Sequence, residues 1–245
     1  MFGLNKIRKV DATSDSLFVH SLFPTIQGEG PYAGQRAVFL RLGGCSLACS
    51  WCDTEFEEGA QRIPNKNIFE LLEDEREGIA SPLCVITGGE PMRQNLEPLA
   101  RLLLKAGWRV QIETAGIHWV DGLEAFEHEM LALDSQETLT IVCSPKTPKI
   151  NPILEQYCIN YKFIVSADEP TADDGLPLYA VSQSLKKQSG LMFRPSNPRA
   201  VIFVQPLDLP SDPDATQRNI HRCAALAIKH GYRLSLQLHK ILGLP

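Results

Sequence analysis

The sequence predicts an α/β fold of parallel strands with helices packed outside them. Three observations carry this reading. Short apolar runs of about six residues, rich in Val, Ile, Phe and Leu, recur along the chain and suit buried strands. Amphipathic helical runs lie between them. Polar clusters fall at the carboxyl ends of the apolar runs, where folds of parallel strands build their sites.

The expected strands cover residues 37–42, 83–86, 109–112, 138–142, 161–165, 200–204 and 233–238. The first helical run, 68–77, puts Ile68, Leu71 and Leu72 on one face. The second, 96–106, carries Leu96, Leu99, Leu102 and Leu103. The third, 214–230, carries Ile220, Cys223, Ala224, Ala227 and Ile228, with Gly231 as its C-cap. Strand alternating with helix gives a parallel sheet with right-handed crossovers. Residues 168–200 are rich in Pro, Ser and Asp and read as irregular, with one helix over 178–188. Residues 1–16 form a polar N-terminal arm, and 17–245 a single domain. At 245 residues the chain is long enough for a real core.

Composition narrows the class. Hydrophobic residues make up 44% and charged residues 22%, as in ordinary globular proteins. A net charge of −5 gives no electrostatic footprint for nucleic acid or an anionic membrane. No apolar run approaches the roughly 18 residues of a membrane span. Lys6, Arg8 and Lys9 are not followed by the apolar stretch of a secretory signal, so a cytoplasmic location is expected. Seven cysteines is an odd number; in a reducing compartment they are thiols or metal ligands.

Three of them, Cys45, Cys49 and Cys52, fall within one short segment after the first strand. Thiolates this close converge on one centre only if the backbone loops around it. A structural zinc site needs four ligands, and its C-x2-C pairs come twice. An electron-transfer iron–sulfur cluster also wants four cysteines. Three ligands leave one iron open to bind a substrate or cofactor directly. A three-cysteine zinc site with a distant fourth ligand is the alternative. Cys84 and Cys223 sit in apolar patterns as small core residues, and Cys143 and Cys158 have no partner spacing.

The C-x3-C-x2-C spacing, with Trp51 before the third cysteine, resembles the radical S-adenosylmethionine (SAM) superfamily. The resemblance implies an incomplete, TIM-like barrel and a [4Fe–4S] cluster whose open iron chelates SAM. One-electron reduction then yields a 5′-deoxyadenosyl radical, the electron coming from an external flavodoxin- or ferredoxin-like donor. Gly88-Gly89-Glu90-Pro91 follows the second strand; glycines permit close backbone approach, and a carboxylate can accept from an ammonium. In the superfamily this Gly-Gly-Glu stretch holds the methionyl amino group. Glu113 is placed to meet ribose hydroxyls, and Ser144, Pro145 and Lys146 the SAM carboxylate or ribose. Gly28 to Ala33 mimics a dinucleotide fingerprint, but a turn and a strand follow it where a helix is required.

Further motifs narrow the resemblance. Phe23 to Gly30, Phe39 to Leu42, Cys52-Asp53-Thr54 and Gln237 through Pro245 resemble the 7-carboxy-7-deazaguanine synthase family of queuosine and 7-deazapurine biosynthesis. That resemblance implies a substrate, 6-carboxy-5,6,7,8-tetrahydropterin. Hydrogen is taken from C6, the ring contracts, ammonia leaves, SAM is regenerated and magnesium assists. It implies a homodimer. It also assigns Thr54 to Mg²⁺, Gln205, Pro206, Leu207 and Asp208 to SAM, and Ile26, Gln27, Gly28, Arg41, Thr87, His239 and Pro245 to the substrate. Arg41 suits a carboxylate as a bidentate partner, and Mg²⁺ commonly completes its shell with water and substrate oxygens. A glycyl-radical activating enzyme would share the cysteines and Gly-Gly-Glu but lack the 27–30 motif and the 239–245 tail.

Overall fold

A computed structural model describes residues 15–126, 139–179 and 191–245. Nine strands form one sheet in the order β3-β1-β2-β4-β5-β6-β7-β8-β9. They are β1 Ser16–Ile26, β2 Arg36–Leu42, β3 Gln61–Pro64, β4 Leu83–Gly88, β5 Arg109–Thr114, β6 Leu139–Cys143, β7 Asn160–Val165, β8 Val201–Pro206 and β9 Arg233–Leu234. From β2 through β9 every neighbouring pair is parallel; β1 pairs antiparallel with β2 and with β3. The two ends of the sheet do not pair, so the barrel is incomplete.

The parallel strands are buried on both faces, and period-two alternation separates those faces. Val38, Leu40, Cys84, Ile86, Val110, Ile112, Ile141, Tyr161, Phe163 and Val204 join the main core. With them pack Ile68 and Leu72 of α1 (Asn65–Asp74), Leu99 and Leu103 of α2 (Glu97–Lys105), and Cys223 and Leu226 of α4 (Pro213–His230). The intervening positions point into the barrel: Phe39 and Arg41, Val85 and Thr87, Gln111 and Glu113, Lys162 and Ile164, Phe203 and Gln205. Ala37, Leu83 and Val85, with Tyr32 and Phe39, fill one end of that interior. The other end is polar.

Helix ends follow local chemistry. Asp212 caps α4, accepting from Ala215 N at 2.9 Å, and Gly231 closes it at φ 72°. A short helix, α3 (Pro152–Tyr157), is absent from the sequence reading, although Asn151 before Pro152 is an N-cap and N1 pair; Asn151 Oδ1 accepts from Ile153 N and Leu154 N.

Three expectations need correction. The strand over 233–238 is two residues long, and α5 (Leu238–Leu242) begins where it was expected to end. Ser235 N still reaches Val204 O at 3.0 Å. Gln237 then bonds inward to Glu29 and Asp53, and Leu238 N turns to Gly28 O at 3.3 Å, which takes the chain out of the ladder. Strand β1 was not foreseen: Pro24 and the polar His20-Ser21 pair interrupt its apolar pattern, and its register slips between Val19 and Ser21. Ser16 starts that strand rather than ending a loose arm; the arm's first 14 residues, Thr138 and nearly all of the expected 178–188 helix lie outside the described residues. The described parts of 168–200 are irregular, with one isolated bridge between Thr171 and Pro177.

Candidate active site

The segment carrying the three cysteines leaves the end of β2 and is held by the end of β4. Gly89 N donates to Leu42 O at 2.8 Å, and Glu90 N to Gly44 O at 2.9 Å. Glycine is required at both positions of this clamp. A Cβ on Gly88 would lie 2.3 Å from Leu42 O, at φ 112°, and one on Gly89 would lie 2.1 Å from Gly44 O. Cys52 N bonds Cys49 O at 3.1 Å, so the loop turns between its second and third thiols.

Cys45, Cys49 and Cys52 form no disulfide and line one cavity of about 200 Å³. Trp51, Thr54, Gly89, Glu90, Glu113, Ser144, Lys146 and the run Gln205, Pro206, Leu207 and Asp208 line it too. Burial pushes the Cys45 thiol up to about 12 and raises that of Cys52. Such thiols ionise only against a positive centre, and a bound iron cluster would supply one. Among the described residues no three His, Cys, Asp or Glu side chains are gathered tightly enough to hold a single metal ion. The donor set fits a cluster bound by three thiolates on one wall of an open cavity.

Opposite the cysteines, Lys146 Nζ lies 5.0 Å from the Trp51 ring centroid and donates to the Ser144 carbonyl and hydroxyl. Burial lowers its pKa to about 8. Asn219 of α4 steadies the 205–208 stretch, donating to Leu207 O at 2.8 Å. The Glu90 carboxylate lines the first cavity. It is 1% exposed and turned partly into the protein, accepting from Met92 N and Thr114 Oγ1 on one oxygen and from Ala115 N on the other.

A second cavity of about 280 Å³ adjoins the first. Gln27, Arg41, Thr87, His239, Lys240, Leu244 and Pro245 line it, and Glu29, Asp53, Thr54, Glu113 and Gln237 border both cavities. Arg41 and Thr87 are partners in the β2–β4 register. The Arg41 guanidinium stacks 5.1 Å from the Phe23 centroid, and its buried Nε has no partner among the described residues. Thr87 Oγ1 donates to Glu113, which also accepts from Gln27 and Gln111. Helix α5 closes the far side: Leu244 N bonds His239 O, and Thr25 Oγ1 bonds Pro245 O at 3.2 Å.

Ile26, Gly28 and Pro145 line neither cavity. Gly28 acts by absence: a Cβ there would lie 2.2 Å from His239 Nδ1. That nitrogen is buried without a partner, and burial lowers the pKa of the ring.

Sequence reasoning missed the charges between the cavities. Lys162, mid-β7 and 7% exposed, pairs with Glu29, 8% exposed. Burial alone would raise the Glu29 carboxyl, but the Lys162 ammonium holds it below the ordinary value. Gln237 joins Glu29 to Asp53, and Lys240 joins Asp53 to Asp208. Burial would raise Asp53 as well, but Lys240 brings it down to about 2. Glu29, Asp53, Asp208 and Lys240 stand in the motifs quoted above, but the one signal for Lys162 is a lysine breaking the apolar strand pattern at 161–165.

No family model matches the chain. Three relatives are each called 7-carboxy-7-deazaguanine synthase. The protein from Rhodospirillum rubrum is 40% identical, covering 99% of this chain and 99% of its own. The protein from Rickettsia prowazekii is 36% identical over 100% of this chain and 96% of its own. The one from Escherichia coli is 30% identical over 92% and 98%. The chain belongs to the 7-carboxy-7-deazaguanine synthase family. Among solved structures, QueE from Escherichia coli superposes with a TM-score of 0.63 at 24% identity, over 91% of this chain and 94% of that one, and shares the fold. Among the described residues no helix is long and apolar enough to cross a membrane. The family is the one the 23–30 and 237–245 motifs resemble, and those motifs meet at the second cavity, where Gln27 faces His239 and Pro245.

Proposed function

We propose that this chain is a radical SAM enzyme that converts 6-carboxy-5,6,7,8-tetrahydropterin to 7-carboxy-7-deazaguanine with loss of ammonia. One observation carries the reading: a cavity lined by three cysteine thiols abuts a second that holds a buried arginine Nε with no partner among the described residues. When bound, the cluster and SAM supply a carbon radical that can take a hydrogen atom from a neighbouring substrate. An external one-electron donor is needed to start that chemistry.

The chain's own residues place and shield the reactants. Lys146, set on Trp51 beside Ser144, offers a cation to a carboxylate in the first cavity. Internal donors take three acceptor positions of the Glu90 carboxylate, and the expected ammonium contact falls to its remaining lone pair on Oε2 beside Gly89. The 205–208 stretch lies along the same wall. In the second cavity Arg41 meets the substrate's carboxylate, its fork already levelled by Phe23. His239 and Pro245 face the amino-pyrimidine edge; Thr87 and Gln27 hold Glu113 between the cavities. Gly28 lets His239 close, and Ile26 contributes only through the strand that ends on this loop.

Thr54 borders both cavities and donates to Asp53 Oδ1 at 3.3 Å. A hydroxyl beside a carboxylate fits Mg²⁺ that takes its remaining oxygens from water and substrate.

Anaerobic turnover tests the proposal. Protein reconstituted with iron and sulfide, given dithionite, SAM and the carboxytetrahydropterin, is expected to be brown and to release 7-carboxy-7-deazaguanine. A colourless, zinc-loaded protein rules out the cluster. Deoxyadenosine without the deazapurine rules out the substrate.

A further inference from the structure

Lys162 stands on the inner face of β7, while its neighbours Tyr161 and Phe163 bury themselves in the outer core. Its ammonium meets one oxygen of Glu29. The other oxygen accepts from Gln205 Nε2 at 3.1 Å and Gln237 Nε2 at 2.9 Å. The carboxylate is therefore held from three sides by strand β7, strand β8 and the segment before α5.

Two hydrogen-bonded paths lead from Glu29 to the wall between the cavities. Gln237 shares its amide between Glu29 and Asp53, at 3.1 Å from Asp53 Oδ2, and Asp53 adjoins Thr54. Along the other path, Glu29 N donates to Gln27 Oε1 at 3.0 Å, Gln27 Nε2 donates to Glu113 at 3.1 Å, and Thr87 donates to the same carboxylate. Gln27 and Gln205 are bonded through both amide oxygen and nitrogen and Gln237 twice through Nε2, so none can turn over without losing a bond. Without the ammonium, Glu29 would be a buried carboxylate facing two neutral amides. Such a group takes up a proton or swings toward water, and either change releases the amides it orients.

We propose that Lys162 is a positioning residue for the pterin reaction: acting through Glu29, it fixes the array of acceptors on the wall of the second cavity that receives the substrate's N–H donors. The proposal rests on the reading of that cavity as the pterin site. Lys162 does not touch the substrate; it determines where the Glu29 carboxylate and the Gln205 and Gln237 amides bonded to it stand.

A double-mutant cycle on reconstituted enzyme tests this, with iron content and melting temperature recorded for each variant. K162M is expected to raise KM for the carboxytetrahydropterin at least tenfold. E29Q is expected to raise it comparably, and K162M/E29Q no further than E29Q alone. K162R should bring KM back to within about threefold of the unsubstituted protein, because a guanidinium still supplies the charge. K162Q carries the same comparison if K162M does not fold. Effects that multiply in the double variant, or a KM within twofold in K162M, would overturn the proposal. So would a lower melting temperature with unchanged KM, the mark of a purely structural ion pair. Failure of the unsubstituted enzyme to convert the pterin would instead remove the substrate reading itself.

Discussion

Arg41 and Gly28 show how single residues prepare the second cavity. Arg41 is packed on Phe23 and half-buried near Asp53 and Glu113, yet its buried Nε is unpaired among the described residues. A donor kept dry and empty suits a carboxylate ligand, and a charged hydrogen bond is worth about 1.5–3 kcal/mol. R41M is therefore expected to raise KM for the carboxytetrahydropterin about 10- to 100-fold, measured by steady-state kinetics, with R41K intermediate. Gly28 is needed for clearance, since a Cβ would fall 2.2 Å from His239 Nδ1. G28A is expected to cut kcat/KM more than tenfold while the iron content stays at the unsubstituted level; normal turnover would show that His239 need not sit there. At this scale legibility depends on spacing. The cysteine triad and Gly-Gly-Glu stretch announce themselves because their residue types recur at short intervals. Lys162 is one polar letter in an apolar strand, and its partner Glu29 is 133 positions away. Glu90 was legible as a site residue, but which way its carboxylate turns depends on Thr114 and Ala115, brought in by β5.

Elements carry these residues to their places. The end of β4 and the cysteine loop are joined by backbone bonds that leave no room for side chains. G89A is expected to loosen the loop, and iron and sulfide analysis after reconstitution should show a cluster content well below that of the unsubstituted protein; full occupancy would mean the clamp is dispensable. The irregular 168–179 segment is secured differently. Arg194 forks onto Asp174 and also donates to the carbonyls of Leu176 and Pro177. Burial would raise the Asp174 carboxyl, but Arg194 holds it below the ordinary 3.8. A lowered carboxyl pKa stabilises the fold above the unfolded value, and that stability is lost as pH falls through the folded one. Because Asp174 is partly exposed, its pair with Arg194 is worth about 0.5–1 kcal/mol. Melting curves should show D174N less stable by that amount at neutral pH, the gap closing as pH falls through the aspartate range. The parallel strands and long helices were legible because they bury continuous or periodic apolar runs. The early end of β9 and the helix α5 were not, because the turn at 235–238 is made by bonds to Glu29, Asp53 and Gly28, all distant in sequence.

The whole molecule is an open barrel whose interior divides into two adjoining cavities. Parallel strands place their carboxyl ends, and with them the cysteine loop, Gly89, Glu113, Lys146 and the 205–208 stretch, at one rim, whereas the 27–30 residues follow the antiparallel β1 and enter from the amino end of β2. The gap between the ends of the sheet is spanned by the 27–32 loop and by α5, which meet through Gly28 and Leu238. Glu29, Asp53, Thr54, Glu113 and Gln237 form the wall both cavities share. A substrate held in the second cavity would therefore lie beside SAM held in the first, within reach of the radical chemistry a bound cluster and SAM would supply. The most direct test is an anaerobic crystal structure of the reconstituted protein with SAM and 6-carboxytetrahydropterin. The account predicts a cluster on Cys45, Cys49 and Cys52, SAM against Gly89 and Lys146, and the pterin in the second cavity with its carboxylate on Arg41. A pterin bound elsewhere, or a metal site that draws in a fourth protein ligand, would contradict it.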